Sequence, residues 1–581
     1  LEVRCEELPA RFAEPARKVL ADRILGLLGS LSHGEVRTWV TPRRVAIAIA
    51  DVQTERPVED KLVTGPPAAA AFRDGEPTPA AIGFARGKGV DVADLQVVDG
   101  PRGQVVAARV RTGGEKTIEL VAAGLETALL SMTFPKTMRW GSSPRRWARP
   151  IHGVVALLDG ERIPATVSGL ETTNTTVGHR LCPDPVPVRD AEDWLKAMEE
   201  HRVTCDVGLR RRRIVDQLEA AARQVDAQVP DMPDLVDEVT HLVEWPQVVT
   251  CQFDEDLLEL PPRLLVESMK VHQRVFPLTR NGELTHHFLA VTNNPFGDPA
   301  TIAAGNARVL AARFYDARHF YSEDRRHRLE QHGEELEKMR WIRKAGTMAD
   351  KSQRVADLAA NLSSDFDAEA TAARRAGELC KCDLATQMVG EFPELQGHVG
   401  RLLAIHQGET EAVAMAIEEH YHPRFSRDSL PTTNLGRTLA VADRLDTLCG
   451  CFSHGLRPKG SADPLGLRRA ANGLLAILLD TQVSGQLDTL LERSPFGASP
   501  ELVDFVMARL RAQFMDEAPT DIVDAVLATG DRDPSALRSR VRAMLELSSA
   551  SEFGPLKTTF KRVLGLTRDH EGSDYDSGSL T

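Results

Sequence analysis

A chain of 581 residues is too long for one core, and about one domain per 150 residues predicts three or four. Hydrophobic residues at 42% and charged residues at 27% are ordinary for a soluble globular protein, and no stretch reaches the ~18–20 apolar residues that a membrane span needs. A net charge of −13 excludes the overall basic excess of a simple nucleic-acid binder.

The opening LEVRCEELPARF has acids where a signal peptide carries a basic and then an apolar segment. It reads as cytoplasmic, and as a chain entered inside its reading frame. WVTPRRVAIAIADV is a strand-like run behind a Thr-Pro turn. TGPPAAAAFRDGEPTPAAIGFARGKGV reads as a loop with short helical pieces, and GQVVAARVRT as a strand. TIELVAAGLETALLSM has helical periodicity. HGVVALLDGERIPATVSGL reads as strands with a hairpin at Asp159-Gly160. Residues 188–230 read as helical, HLVEWPQVVTCQF and HHFLAVTNN as strands, and nearly everything after Gly305 as helix. A composition shift near Arg340 marks the main boundary, and DHEGSDYDSGSLT is a polar tail expected to be disordered.

Positive charge is gathered locally. Arg43 and Arg44 follow Thr41-Pro42, MRWGSSPRRWARP sets Arg139, Arg145, Arg146 and Arg149 among tryptophans, and LRRRRI and RFYDARHFYSEDRRHR add more. An acidic protein can hold a polyanion through such patches, because screening over roughly 8–10 Å makes the nearby field matter more than the total. Trp140 and Trp147 are read as core residues rather than stacking platforms.

The sequence carries no motif of a catalytic centre. There is no GxxxxGK[ST], GxGxxG after a strand, GxSxG or HExxH. Cys380-Lys-Cys382 and Cys449-Gly-Cys451 have one residue too few between them for the usual zinc spacing. His420, His422, Asp443 and Asp446 lie on helical stretches and are the residue types that hold a divalent metal for phosphoester hydrolysis. No His is followed by Asp anywhere, however, and i and i+2 lie about 200° apart on a helix, so the two histidines are not expected to share an ion. His420 and Asp443 read instead as packing and hydrogen-bonding groups, with Arg424 or Arg468 as the expected partner of a buried Asp443.

At this point the motifs EELPARF, TPRRVAI, FPKTMRWG, RWARPIHGVVALLDG, TVGHRL, ESMKVHQRVFPL, LAVTNN, GNARVLAARFYDARHFY, WIRKAGTMADKSQRV, CDLATQMVGEFPELQGHVGR, AIEEHYHPRF, LAVADRLDTLCGCF and KGSADPLGLRRAANGLL stand together in order. They resemble the β subunit of bacterial heterotetrameric glycyl-tRNA synthetase from Glu6 to about Leu566. The resemblance implies a multidomain α+β chain. Residues 1–335 form an N-terminal mixed α/β region with a B3/B4-like domain, and 336–490 an all-α, degenerate HD-like domain. Residues 491–566 start a helical anticodon-binding module, and 567–581 are the polar tail. It implies a tRNA-binding, non-catalytic subunit of glycine–tRNA ligase that binds tRNA(Gly) in an α2β2 assembly, with ATP and Mg at the α subunit. This chain itself would hold no cofactor, no metal and no catalytic residue. The expected tRNA contacts are Arg43, Arg44, Arg139, Arg145, Arg146 and Arg149, and His420, Asp443 and Asp446 form a structural HD-like pocket. The alternatives are a free-standing metal-dependent HD-type phosphohydrolase and a purely structural partner. His406, His422, Cys380 and Cys382 depart from the family pattern, and FKRVLGLTRDHEG leads here into a polar tail rather than further helices.

Overall fold

The computed structural model describes residues 1–567 apart from 74, 101–102, 143, 343–344, 461 and 482, so the polar tail from 568 on lies outside the described residues. The chain divides into two compact units, Leu1–Ala312 and Arg313–Thr581. The break falls inside one long helix, Pro299–Asp324, and the composition shift near Arg340 lies within the second unit.

The first unit is mixed α/β. Its leading sheet is antiparallel, in the order Val36–Thr41, Arg44–Ile49, Glu2–Cys5, Ile151–Val155. The run read as one strand is a hairpin: Pro42 has no N–H to give a ladder, so the chain turns over Pro42-Arg43 and pairs Thr41 with Arg44. Helices Ala10–Leu28 and Thr117–Leu130 cover this sheet, and their apolar faces bury Phe12, Leu20, Leu125 and Leu129 with Val3 and Trp147. Trp147 is a core residue, with its indole N–H donating to Leu129 O at 3.1 Å. Trp140 is half-buried against the same core. An inserted three-stranded sheet, Glu59–Pro67, Gly103–Thr112 and Gln96–Gly100, carries helix Pro79–Lys88, so the Ala/Pro-rich block is more regular than its composition predicts. Thr78 caps that helix by accepting from Ala80 N. The Asp159-Gly160 hairpin is present, with both residues at positive φ. A third sheet, ordered Gln247–Gln252, Glu283–Thr292, Phe276–Arg280, packs on helices Val207–Gln224 and Pro233–Thr240 through Ile214, Leu218, Phe276 and Leu289.

Among its described residues, the second unit is built of helices with one small strand pair, Arg340–Ile342 with Gly346–Thr347. Its centre is helix Asn434–Ser453, buried on nearly every side, including at Thr438, Arg444 and Asp446. A helix with so little solvent face shows only a weak amphipathic stripe. Helices Met348–Leu362, Ala370–Leu379, Glu411–Glu419 and Leu467–Thr481 pack around it. Further helices from Leu487 to Thr567 complete the unit.

Candidate functional site

Three stretches singled out in the sequence meet at the end of the leading sheet. The Cys5 N–H donates to Arg43 O at 2.8 Å, Glu6 N–H to Pro150 O at 2.9 Å and Leu8 N–H to Pro42 O at 2.6 Å. EELP, TPRR and ARPIHG are thereby fixed side by side, because strand Glu2–Cys5 pairs on both edges and delivers its successor residues between its neighbours. Glu6 and Glu7 lie among basic groups. Arg180 pairs with the Glu7 carboxylate, Arg149 Nε donates to Glu7 O at 3.0 Å, and His152 Nε2 is 3.4 Å from Glu6 Oε1. Burial works against the Glu6 carboxylate, but Arg43, the Glu7 amide, His152 and Arg180 hold it below its ordinary value. Arg180 and His152 were not picked out as candidates from the sequence, although TVGHRL and RPIHG carry them. Single basic residues in short motifs give no signal until the fold brings them together.

Of the six predicted contacts, five are solvent-accessible. Arg145 pairs with Glu126 at 3.0 Å, Arg146 donates to Thr137 Oγ1 at 3.1 Å, Arg139 is exposed and Arg149 and Arg43 are half-exposed. Arg44 is different, and its expected role as a surface contact is corrected. It is 1% exposed, donates to Glu2 Oε1 at 2.9 Å, pairs with Glu244, and gives Nη2 to the carbonyls of Val177 and Gly178. Burial disfavours its charge, yet Glu244 and Glu2 outweigh that and raise the guanidinium above its ordinary value. Thr41 Oγ1 donates to Glu244 at 2.7 Å and Thr176 Oγ1 to Glu2 at 2.6 Å, so this charge is neutralised within the fold. Arg210, from LRRRRI, is equally internal, donating to the carbonyls of Val40, Thr204 and Thr240. Arg213 and Arg202 both lie over the Trp245 ring, each 5.1 Å from its centre.

The second candidate lies in the helical unit. Helix Glu411–Glu419 ends before His420, so His420 and His422 follow a helix end rather than sharing a helix. Arg444 holds this turn, donating to the carbonyls of His420 at 3.0 Å and His422 at 2.7 Å. His420 is fully buried, whereas His422 is half-exposed and sits 3.0 Å from Ser429 Oγ. Asp443 is partly buried, as expected, but its partners are lysines and not Arg424 or Arg468. Lys351 Nζ lies 2.9 Å from Oδ1 and Lys381 Nζ 3.2 Å from Oδ2. Arg424 instead donates to the carbonyls of Glu394 and Gln396, and Arg468 to that of Gly460. Asp446 is fully buried, 3.0 Å from Lys351 Nζ and 2.6 Å from Arg354 Nε. Burial opposes the Asp443 carboxylate, but Lys351 and Lys381 hold it well below the usual range. Burial and Lys381 together push His420 well below its ordinary value, so the imidazole is neutral. Among the described residues, no three His, Cys, Asp or Glu side chains are grouped to hold a metal ion. Cys380, Cys382, Cys449 and Cys451 are buried, and burial pushes the Cys380 thiol up to about 12, far from a ready ligand. No described helix is long and apolar enough to cross a membrane.

Comparison with known proteins agrees with the motifs. The family described as "Glycyl-tRNA synthetase beta subunit" matches residues 1–528. The glycine–tRNA ligase beta subunit of Chromohalobacter salexigens is 39% identical, with 100% of this chain and 87% of the relative covered. That of Myxococcus xanthus is 38% identical over 100% of this chain and 85% of the relative. That of Geobacter sulfurreducens is 37% identical over 99% and 86%. With the family pattern running through both units and these identities sustained along the chain, the protein belongs to the glycyl-tRNA synthetase beta subunit family and is a subunit of an aminoacyl-tRNA synthetase.

Proposed function

We propose that this chain is the tRNA-binding, non-catalytic component of glycine–tRNA ligase. It acts in the cytoplasm with a separate α subunit, as an α2β2 assembly, to attach glycine to tRNA(Gly). ATP, glycine and Mg belong to the α subunit. Within the chain, the first unit includes the B3/B4-like domain, the helices around Asn434–Ser453 are the degenerate HD-like domain, and the helices toward Thr567 begin the anticodon-binding module. The observation that carries the RNA reading is the meeting of EELP, TPRR and ARPIHG, which brings Arg43, Arg149, Arg180 and His152 around one turn, with Arg139, Arg145 and Arg146 exposed in the adjoining segment. Guanidiniums at a surface suit bidentate contact with phosphate. The phosphohydrolase alternative gains no support, since lysines surround the carboxylates it needs.

Phosphate contacts release counterions, so log affinity falls linearly with log salt at roughly 0.7–0.9 per contact. Arg145, Arg146 and Arg149 changed together to Ala are expected to weaken tRNA(Gly) binding and to flatten that slope by about 2. Binding isotherms of the α–β complex at four or five salt concentrations read both quantities. An unchanged slope in a folded variant assigns these arginines a structural role.

A further inference from the structure

The HD-like domain proposed above, on which this inference rests, would imply a divalent-ion position, and the residues at His420, Asp443 and Asp446 do not fit an ion. His420 Nδ1 lies 2.7 Å from Ile417 O, and a carbonyl only accepts, so Nδ1 carries the proton. Nε2 is then the acceptor, and it faces Lys381 Nζ at 2.8 Å. This is the orientation of a metal-ligating imidazole, with one nitrogen fixed by a carbonyl and the other aimed at a cation. Here the cation is an ammonium. The same ammonium reaches Asp443 Oδ2 at 3.2 Å. A second ammonium, Lys351 Nζ, sits among oxygens: Asp443 Oδ1 at 2.9 Å, Asp446 Oδ2 at 3.0 Å and Thr447 Oγ1 at 2.9 Å. Arg354 takes the remaining oxygen of Asp446. Lys351 and Lys381 are each 3% exposed. Two ammoniums and a guanidinium already exceed the charge of the two carboxylates, so a divalent ion would add repulsion to a site with little water to screen it.

We propose that Lys381 and Lys351 are the resident cations of this centre and stand where a divalent ion would bind. The centre thereby joins four segments without metal: helix Met348–Leu362 through Lys351, the turn at Lys381, the end of helix Glu411–Glu419 through His420, and helix Asn434–Ser453 through Asp443 and Asp446. An ammonium donates hydrogen bonds but has no vacant orbital, so it cannot polarise a phosphoryl oxygen as a Lewis acid or generate hydroxide as a bound metal does. The inference concerns the second unit alone and stands whether or not the RNA reading holds.

The test exchanges the ammonium for a shorter neutral ligand. In Lys381→His the side chain ends short of the Nζ position, leaving room for zinc at its usual ~2.0–2.1 Å from nitrogen, with His420 and Asp443 as further ligands. The full chain is incubated with zinc, desalted, and assayed by elemental analysis and thermal melting. Wild type is expected to retain no stoichiometric zinc, manganese or iron, and its melting temperature to ignore chelator. Lys381→His is expected to retain about one zinc per chain, to melt higher with zinc than without, and to lose both properties when combined with His420→Ala. Refolding of Lys381→His only in the presence of zinc also supports the proposal. Wild type holding one divalent ion per chain, lost in Asp443→Asn, overturns it. So does a folded Lys381→His that ignores zinc, or one that zinc cannot refold while Lys381→Met melts cooperatively.

Discussion

Arg44 shows how residue type and residue role come apart. From the sequence it is the second of two arginines after a turn, equivalent to Arg43. In the fold its Cα pairs with Thr41 across a two-residue turn, which turns the guanidinium inward onto Glu2 and Glu244. Glu244→Gln leaves a buried guanidinium short of one counter-charge and is expected to cost about 3–5 kcal/mol in chemical denaturation. Arg44 holds the Glu244 carboxylate below its ordinary value against the opposing effect of burial. A depressed carboxylate contributes stability above its unfolded value near 4.5, and that stability is lost as pH falls below it. The difference between wild type and Glu244→Gln should therefore be full at pH 7 and shrink below about pH 4.5. A difference independent of pH would assign the loss to packing. In the second unit, His420→Ala is expected to cost about 1–3 kcal/mol, as its two buried hydrogen bonds, to Ile417 O and from Lys381 Nζ, are lost. Asp443→Ala leaves Lys381 with no carboxylate and Lys351 with Asp446 alone, and should cost more, about 3–5 kcal/mol. Denaturant melts of both variants, with elemental analysis unchanged from wild type, check the pair.

At the scale of elements, the contrast between two helical glycines separates packing from propensity. Gly377 on helix Ala370–Leu379 lies where a Cβ would sit 2.3 Å from Ala356 Cα on helix Met348–Leu362, and Ser352 Oγ donates to Gly377 O at 3.0 Å. The two backbones approach closely there. Gly377→Ala must push them apart, at a cost of about 1–3 kcal/mol. Gly83, inside helix Pro79–Lys88, has nothing within 4 Å of its would-be Cβ. Gly83→Ala should stabilise by about 0.5–1 kcal/mol through the unfolded chain alone. Opposite signs for the same substitution, read by thermal melting, are the expected result. Equal signs would mean that the Gly377 crossing relaxes without strain.

For the whole molecule, the proposed division of labour has a direct consequence. The chain presents basic surface groups in its first unit and a lysine-filled centre in its second, with neither a nucleotide-binding loop nor a metal-binding group among the described residues. Isolated from any α subunit, it is expected to form no glycyl-adenylate. Glycine-dependent exchange of pyrophosphate into ATP should stay at background, and should appear when α is added. Exchange clearly above background from this chain alone would place an adenylation site here and contradict the proposed division.

The sequence by itself determined the mixed first half and helical second half, the hairpin at Asp159-Gly160, the family and the lack of a His-Asp pair. These are local or linear properties: turn chemistry, periodicity and ordered motifs survive without knowledge of distant contacts. Only the tertiary structure decided which charges face water. Arg43 and Arg44 are adjacent and alike, yet one is half-exposed and the other is consumed by carboxylates far away in sequence. The partners of Asp443 were likewise illegible, because Lys351 and Lys381 lie on segments remote from it, and arginine near in sequence was the simpler expectation. Helix Asn434–Ser453 gave no clear stripe to read, since burial on nearly every side erases most of the periodicity that solvent imposes. A buried charge must find its opposite wherever the fold puts it, and that pairing is set by three-dimensional proximity rather than by spacing along the chain.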